Sequence, residues 1–204
     1  MNTITISGAT LHTALGAANY SRGTDQSRPI LTTFYVDSEK VHEQGVSKLR
    51  IVTTDSYRMS IVDLDYDVED GFEPFMFTGD VKTMLAFLKA RIKTDITVSL
   101  NEFGILMEGV DGARWVGNVS SGTFPDYRQL VAAEFDPANQ TVAYNPAYLA
   151  DIGNAVKAMA GGGKNAANAI PLRFDHNGPQ KPARFRATVD GNTLDQWLMP
   201  VRVS

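Results

Sequence analysis

The sequence has no cysteine among its 204 residues, which excludes a disulfide framework, a Cys-ligated zinc and a thiol nucleophile. Histidine is almost as scarce, and His12, His42 and His176 lie far apart; His42-Glu43 lacks the second histidine that a helical metal motif needs. No run of about 18 apolar residues is present, and the N-terminal stretch MNTITISGATLHTALG shows no basic segment leading into an apolar one. The expectation is therefore a protein that is neither secreted nor membrane-inserted, with a cytoplasmic location. A strong excess of either charge is also lacking: 19 Lys and Arg face 23 Asp and Glu, a net charge of −4. That balance argues against a simple basic groove-binder, although binding depends on where charge sits.

What the sequence does contain is a loose internal repeat. Alternation at Thr3–Ile6 predicts a strand, followed by a helix with Leu11, Ala14, Leu15 and Ala18 on one face, then strands at Ile30–Val36, Leu49–Thr53 and Arg58–Leu64. An acidic turn over Asp65–Gly71 separates this unit from a second. The second reads as strand Phe75–Phe77, a helix over about Gly79–Ile92 with Val81, Met84, Leu85 and Leu88 inward, and strands at Ile96–Leu100, Gly104–Glu108 and Arg114–Val119. The third has strand Thr141–Tyr144, then Asn145 as N-cap with Pro146 at the first helical position, and a stripe of Tyr148, Leu149, Ile152 and Val156. Gly161-Gly162-Gly163 stops that helix, and strands at Ile170–Phe174, Ala183–Val189 and Leu194–Val201 follow. Three βαβββ units, with antiparallel strands joined by short turns, predict an α+β fold with helices on one side of the sheet.

Catalytic motifs are absent: there is no phosphate loop, dinucleotide fingerprint, zinc helix or nucleophile elbow, so the chain reads as a non-enzyme. The carboxylates Asp63, Asp65, Asp67, Glu69 and Asp70 lack calcium-loop spacing and read as a solvated turn. Asp55-Ser56 lies in a strand connection, where a carboxylate more often binds local amides than activates a nucleophile. Basic residues are more suggestive, because Lys82 and Lys89 are a heptad apart and share a helical face distinct from the apolar stripe. Arg91, Lys93, Lys157 and Lys164 lie on or just after the second and third helices.

Five segments, in order, carry a resemblance to a known family: Arg28-Pro29-Ile30-Leu31, the run Leu49 to Met59 with its Thr54-Asp55-Ser56-Tyr57-Arg58 turn, Gly122 to Arg128 with Phe124-Pro125-Asp126-Tyr127, Asn145 to Leu149, and Leu198-Met199-Pro200-Val201-Arg202-Val203. Together they resemble the bacterial DNA polymerase sliding clamp, the beta subunit of the polymerase III holoenzyme. The resemblance implies a DNA-clamp fold of βαβββ units, two per domain, with helices lining a ring and sheets outside. Residues 1–127 would then form a complete clamp domain from units 1–70 and 71–127, and 128–204 half of another. Full-length clamps have six units and this chain shows three, so an exposed unit face and self-association as a dimer or tetramer are expected. A phage-encoded member fits the compact size.

The same resemblance implies a processivity factor that encircles double-stranded DNA without sequence preference and needs no cofactor. The DNA-facing charges would be Lys82, Lys89, Arg91, Lys93 and Lys157. A pocket for polymerase and clamp-loader peptides would comprise Arg28, Thr54, Ser56, Tyr57, Arg58, Met59, Pro125, Leu130, Leu198, Met199, Pro200, Val201 and Arg202. The alternative is a clamp-like adaptor or decoy that binds such peptides without closing a ring.

Overall fold

A computed structural model describes residues 3–41, 46–68, 72–101, 104–131, 142–163 and 166–201. The first unit runs β1 (Thr3–Ser7), α1 (Gly8–Ala18), β2 (Phe34–Val41), β3 (Val46–Thr54) and β4 (Arg58–Val68). The second runs β5 (Phe75–Thr78), α2 (Val81–Lys89), β6 (Asp95–Asn101), β7 (Gly104–Gly109) and β8 (Arg114–Ser120). A short α3 (Tyr127–Val131) leads to the third, which has α4 (Pro146–Met159), β9 (Arg173–Asp175), β10 (Ala183–Val189) and β11 (Asn192–Leu198). All eleven described strands join one sheet in the order β1-β6-β7-β8-β5-β2-β3-β4-β11-β10-β9, every pair antiparallel, so the α+β class read from the sequence is the class observed.

Units one and two exchange their first strands. β1 pairs with β6 of the second unit through Ile4↔Val98, and β5 pairs with β2 of the first through Tyr35↔Met76. The third unit joins the first by pairing their last strands, β11 with β4, from Thr193↔Asp63 to Leu198↔Arg58.

Strand alternation sorts side chains onto two faces. Leu49, Ile51, Val62, Leu64 and Leu194 pack with Leu11, Leu15, Met84, Leu88 and Val156 of the helices in the main core. Val52, Met59, Ile61 and Trp197 point to the opposite face, where Phe124 and Tyr127 cover them in a second, smaller core. On the helix side α1 packs between α2 and α4, and a Cβ added at Gly16 of α1 would lie 4.0 Å from the Ala158 Cβ on α4. Gly8 opens α1 so close to the Arg91 carbonyl that a Cβ there would lie 2.3 Å from that oxygen.

The helix starts follow their local chemistry. Asp80 accepts from the Thr83 amide at 3.1 Å, and Asn145 accepts from the Ala147 amide at 2.9 Å. With Asp80 as cap, α2 is shorter than the Gly79–Ile92 span expected from periodicity.

Five other expectations are corrected. Ile30-Leu31 is not strand: Pro29–Thr32 forms a 3-10 turn, held by the Thr32 and Thr33 hydroxyls donating to the Pro29 and Ile30 carbonyls at 2.8 and 2.7 Å. Asp65 and Asp67 belong to a strand, not a turn, because Lys48 on the neighbouring strand binds both, at 2.9 and 2.5 Å. Leu149 points to solvent, and the buried stripe of α4 is Ile152, Ala155, Val156 and Met159. The last strand stops at Leu198, after which Val201 makes a single bridge to Ala143; the strand expected at Ile170–Phe174 is the shorter β9. Among the described residues no helix is long and apolar enough to cross a membrane.

Candidate functional site

The seam between β4 and β11 organises the site. On its helix side it is polar: the Gln196 amide donates to Ser60 Oγ at 3.0 Å, and Ser60 Oγ donates to Ser21 Oγ at 2.8 Å, all three residues buried. At the end of the seam the turn between β3 and β4 is tied by Asp55, whose Oδ1 accepts the amides of Tyr57 and Arg58 at 3.0 Å each. Asp55 Oδ2 takes Arg58 Nε at 3.0 Å. This turn holds Ser56 at a φ of 80° and engages both oxygens of Asp55, so its carboxylate is occupied by the fold.

Arg58 also forms an ion pair with Asp151 of α4, and its guanidinium stacks over Tyr148 at 4.5 Å. Burial works against the Arg58 charge, but Asp151 and Asp55 outweigh it and raise its pKa above the usual arginine range. One side chain thereby fastens the first unit to the third.

Two cavities flank the Tyr57-Arg58 wall. The first, about 120 Å³, opens on the face away from the helices and is lined by Thr54, Ser56, Tyr57, Arg58, Met59, Leu130, Pro182, Trp197 and Met199. Met59 and Trp197 form its buried floor, whereas Tyr57, Leu130 and Met199 are exposed at its rim, an apolar arrangement suited to a side chain from another molecule. The second cavity is polar, about 240 Å³, and is lined by Arg22, Asp25, Arg28, Asp55, Arg58 and Tyr148 among others. Arg22 has no carboxylate partner among the described residues; burial lowers its pKa, and Asn19 and the Thr32 carbonyl hold it at 2.9 and 2.8 Å.

The pocket set expected from the sequence divides accordingly. Thr54, Ser56, Tyr57, Arg58, Met59, Leu130 and Met199 meet at the apolar cavity. Arg28 lines the polar one, with Nη1 donating to Ser56 Oγ at 3.3 Å. Leu198 is buried beneath the third unit with Ile152 and Phe185. Pro125, Pro200 and Val201 line neither cavity, and Arg202 lies outside the described residues. Pro182 and Trp197 were missed; the alternation of β11 could have flagged Trp197, while nothing local marks Pro182.

The expected DNA-facing cations also divide. Lys82, Lys89, Lys93 and Lys157 make no ion pair among the described residues, and the first three are exposed. Arg91 instead clamps Asp111 of the β7–β8 turn at 3.0 and 2.7 Å and donates to the Phe87 carbonyl at 3.0 Å. Lys164 lies outside the described residues. Lys89 sits near enough to His12 of α1 to add to burial in lowering the His12 pKa. Among the described residues no group of three or more acidic or histidine side chains could hold a metal ion.

No protein-family model matches the sequence, nor does any curated protein. Solved structures do match. The chain aligns over its whole length with the beta sliding clamp of C. crescentus at a TM-score of 0.75 and 16% identity, over 98% of its length with the DNA polymerase sliding clamp of Pseudomonas aeruginosa at 0.76 and 14%, and over its whole length with that of Bacillus subtilis at 0.74 and 14%. It spans 66%, 66% and 65% of those chains respectively, about two thirds of each. The fold is the clamp fold of repeated βαβββ units.

Proposed function

We propose that the chain is a DNA sliding clamp, a non-catalytic processivity factor that holds duplex DNA against its helix side and tethers a replicative polymerase through the apolar cavity. The observation that carries this reading is the division of labour between the two faces. Lysines with no ion pair among the described residues stand on α2 beside α1, while an apolar cavity with an exposed Tyr57, Leu130 and Met199 rim opens on the other side. Lysines held on a rigid helix give weak, sequence-independent phosphate contacts, which is what sliding requires. A tether raises the polymerase concentration at the primer end without a new catalytic group. In this reading residues 1–127 act as a complete clamp domain, 128–204 as half of one, and copies of the chain associate into a closed ring.

The test is retention on circular DNA. The clamp reading expects the protein to stay on a closed circle and to be lost on linearisation, and indifference to linearisation would overturn encirclement. The tethering half is tested by titrating a labelled polymerase-derived peptide against Met199→Glu, which places a charge on the cavity rim; affinity should fall at least tenfold. Unchanged affinity would remove the cavity from the reading.

One observation favours the adaptor as a second reading. The apolar cavity is lined by the first and third units of a single chain and α3 between them, so peptide binding needs no ring.

A further inference from the structure

The three units end in three last strands, β4, β8 and β11, and two of these satisfy each other. β4 gives its first half, Arg58–Asp63, to β11. Its second half turns toward the first strand of its own unit, where the Thr5 amide donates to Tyr66 Oη at 3.3 Å. β8 is built on the same plan, since its second half pairs with the first strand of its own unit through Met76↔Ser120, Phe77↔Val119 and Thr78↔Asn118. Its first half, Arg114–Gly117, has β7 on one side and none of the described strands on the other. Among the described residues nothing fills beside β8 the position that β11 fills beside β4.

The helices repeat this difference. Counted from their caps, Ser7 and Asp80, the buried anchors fall at matching positions: Leu11 with Met84, and Leu15 with Leu88. Two residues further on, Ala17 is fully buried where α1 packs on α4, whereas its counterpart Ala90 is exposed, and so are Ala86 and Ile92 on α2 and the turn that follows. On the open half of β8 itself Val116 is 60% accessible, on the face away from the helices, since its neighbour Trp115 belongs to the main core. An open strand edge beside an uncovered helix flank is what remains when a neighbouring unit is removed from such a seam.

We propose that the first half of β8 pairs with the same segment of a second copy of this chain, antiparallel and across a two-fold axis. The inner seam joins last strand to last strand, and among the described strands β8 is the only last strand still open, so a second β8 is its like partner. The sheet then runs on from one chain into the next as β7-β8-β8′-β7′, and α2 of each chain covers the other's Ala90 and Ile92. A two-fold contact of this kind is self-complementary and saturates at two chains, so it cannot by itself propagate into a fibre. The inference rests on the self-association included in the proposed function, and on nothing about DNA.

The absence of cysteine supplies the test. Single variants Arg114→Cys and Val116→Cys place one thiol each along the open edge, and Thr123→Cys, exposed but away from it, is the control. After mild oxidation at least one edge variant should run as a covalent dimer in most of the sample, with the control monomeric. In parallel, Val116→Glu should halve the native mass measured by light scattering and leave the circular dichroism spectrum of the folded chain unchanged, because the side chain faces solvent in the single chain. Cross-linking at the edge no greater than in the control, or a wild-type protein that stays monomeric at every concentration, would overturn the pairing. Retention on circular DNA reads the clamp function separately: lost retention with intact cross-links condemns that function alone, and retention without cross-links condemns the β8 pairing alone.

Discussion

The cations on the two faces of the sheet lead different lives. On the face away from the helices, Arg50 forks onto Asp63 at 2.5 and 2.9 Å, reaches Glu39 at 2.6 Å and lies over the Tyr127 ring, with only 11% of its side chain accessible. Lys48, Arg184 and Arg186 are each tied to carboxylates of adjacent strands, and Arg128 of α3 to Asp37 of β2. On the helix side, Lys82 and Lys89 have no such partner among the described residues. Nearly equal numbers of acids and bases thus conceal an arrangement in which one face consumes its charge internally and the other presents it. A near-neutral total is compatible with nucleic-acid binding when the paired charges and the free ones are on different sides.

Four measurements would break or sharpen that contrast. The largest effect should come from Arg50→Gln, which leaves Asp63 in a half-buried place without its counter-charge. A loss of about 3 kcal/mol in denaturant unfolding is expected, and a loss below about 1 kcal/mol would mean the pair is only a surface decoration. Reversing Lys82 and Lys89 together to Glu should weaken retention on DNA about tenfold or more and flatten its salt dependence by roughly two phosphate contacts. Stability should stay within about 0.5 kcal/mol for each surface change, and unaltered DNA retention would end the assignment of α2 to the DNA side. Lys48→Ala, more accessible than Arg50, should cost at most about 1 kcal/mol; a cost matching that of Arg50→Gln would erase the distinction between buried and exposed pairs on this face.

The smallest effect should be a pH dependence at His12. Burial, with Lys89 adding to it, lowers its pKa in the folded chain. The unfolded chain therefore binds the extra proton first, and stability is full above the ordinary histidine range and declines as pH falls from there toward the lower folded value. In the Lys82→Glu, Lys89→Glu variant that decline should shrink, because one cause is gone while burial remains. An identical decline in both proteins would place Lys89 farther from His12 than the structure does.

Much of the architecture is legible from local pattern alone. The alternation of Ala183–Val189 marks its strand to the residue, and Asn145-Pro146 announces α4 through cap chemistry that needs only neighbouring atoms. What escaped depends on distant residues. The extension of β4 through Asp65 and Asp67 needs Lys48 across the strand, and the exchange of β1 and β5 is written in no single segment. The site shows the same division. Thr54 to Met59 is contiguous and could be named in advance, whereas Pro182 joins the cavity only because β10 and β11 bring the third unit against the first. Arg91 reads as a free cation in sequence, since Asp111, which neutralises it, lies twenty residues on at a hairpin tip.

The exchanged first strands also set the order in which the chain can fold. Thr3 finds Ser99 only after the whole first unit and half of the second exist, so the loop that must close is long and its closure entropy is paid before any of the ladder forms. A chain emerging from the ribosome would carry β1 without its strand partner until β6 appears. Folding of the first two units should consequently be a single late and cooperative event, and a fragment ending before residue 95 should remain without a fixed core however well its own strands alternate.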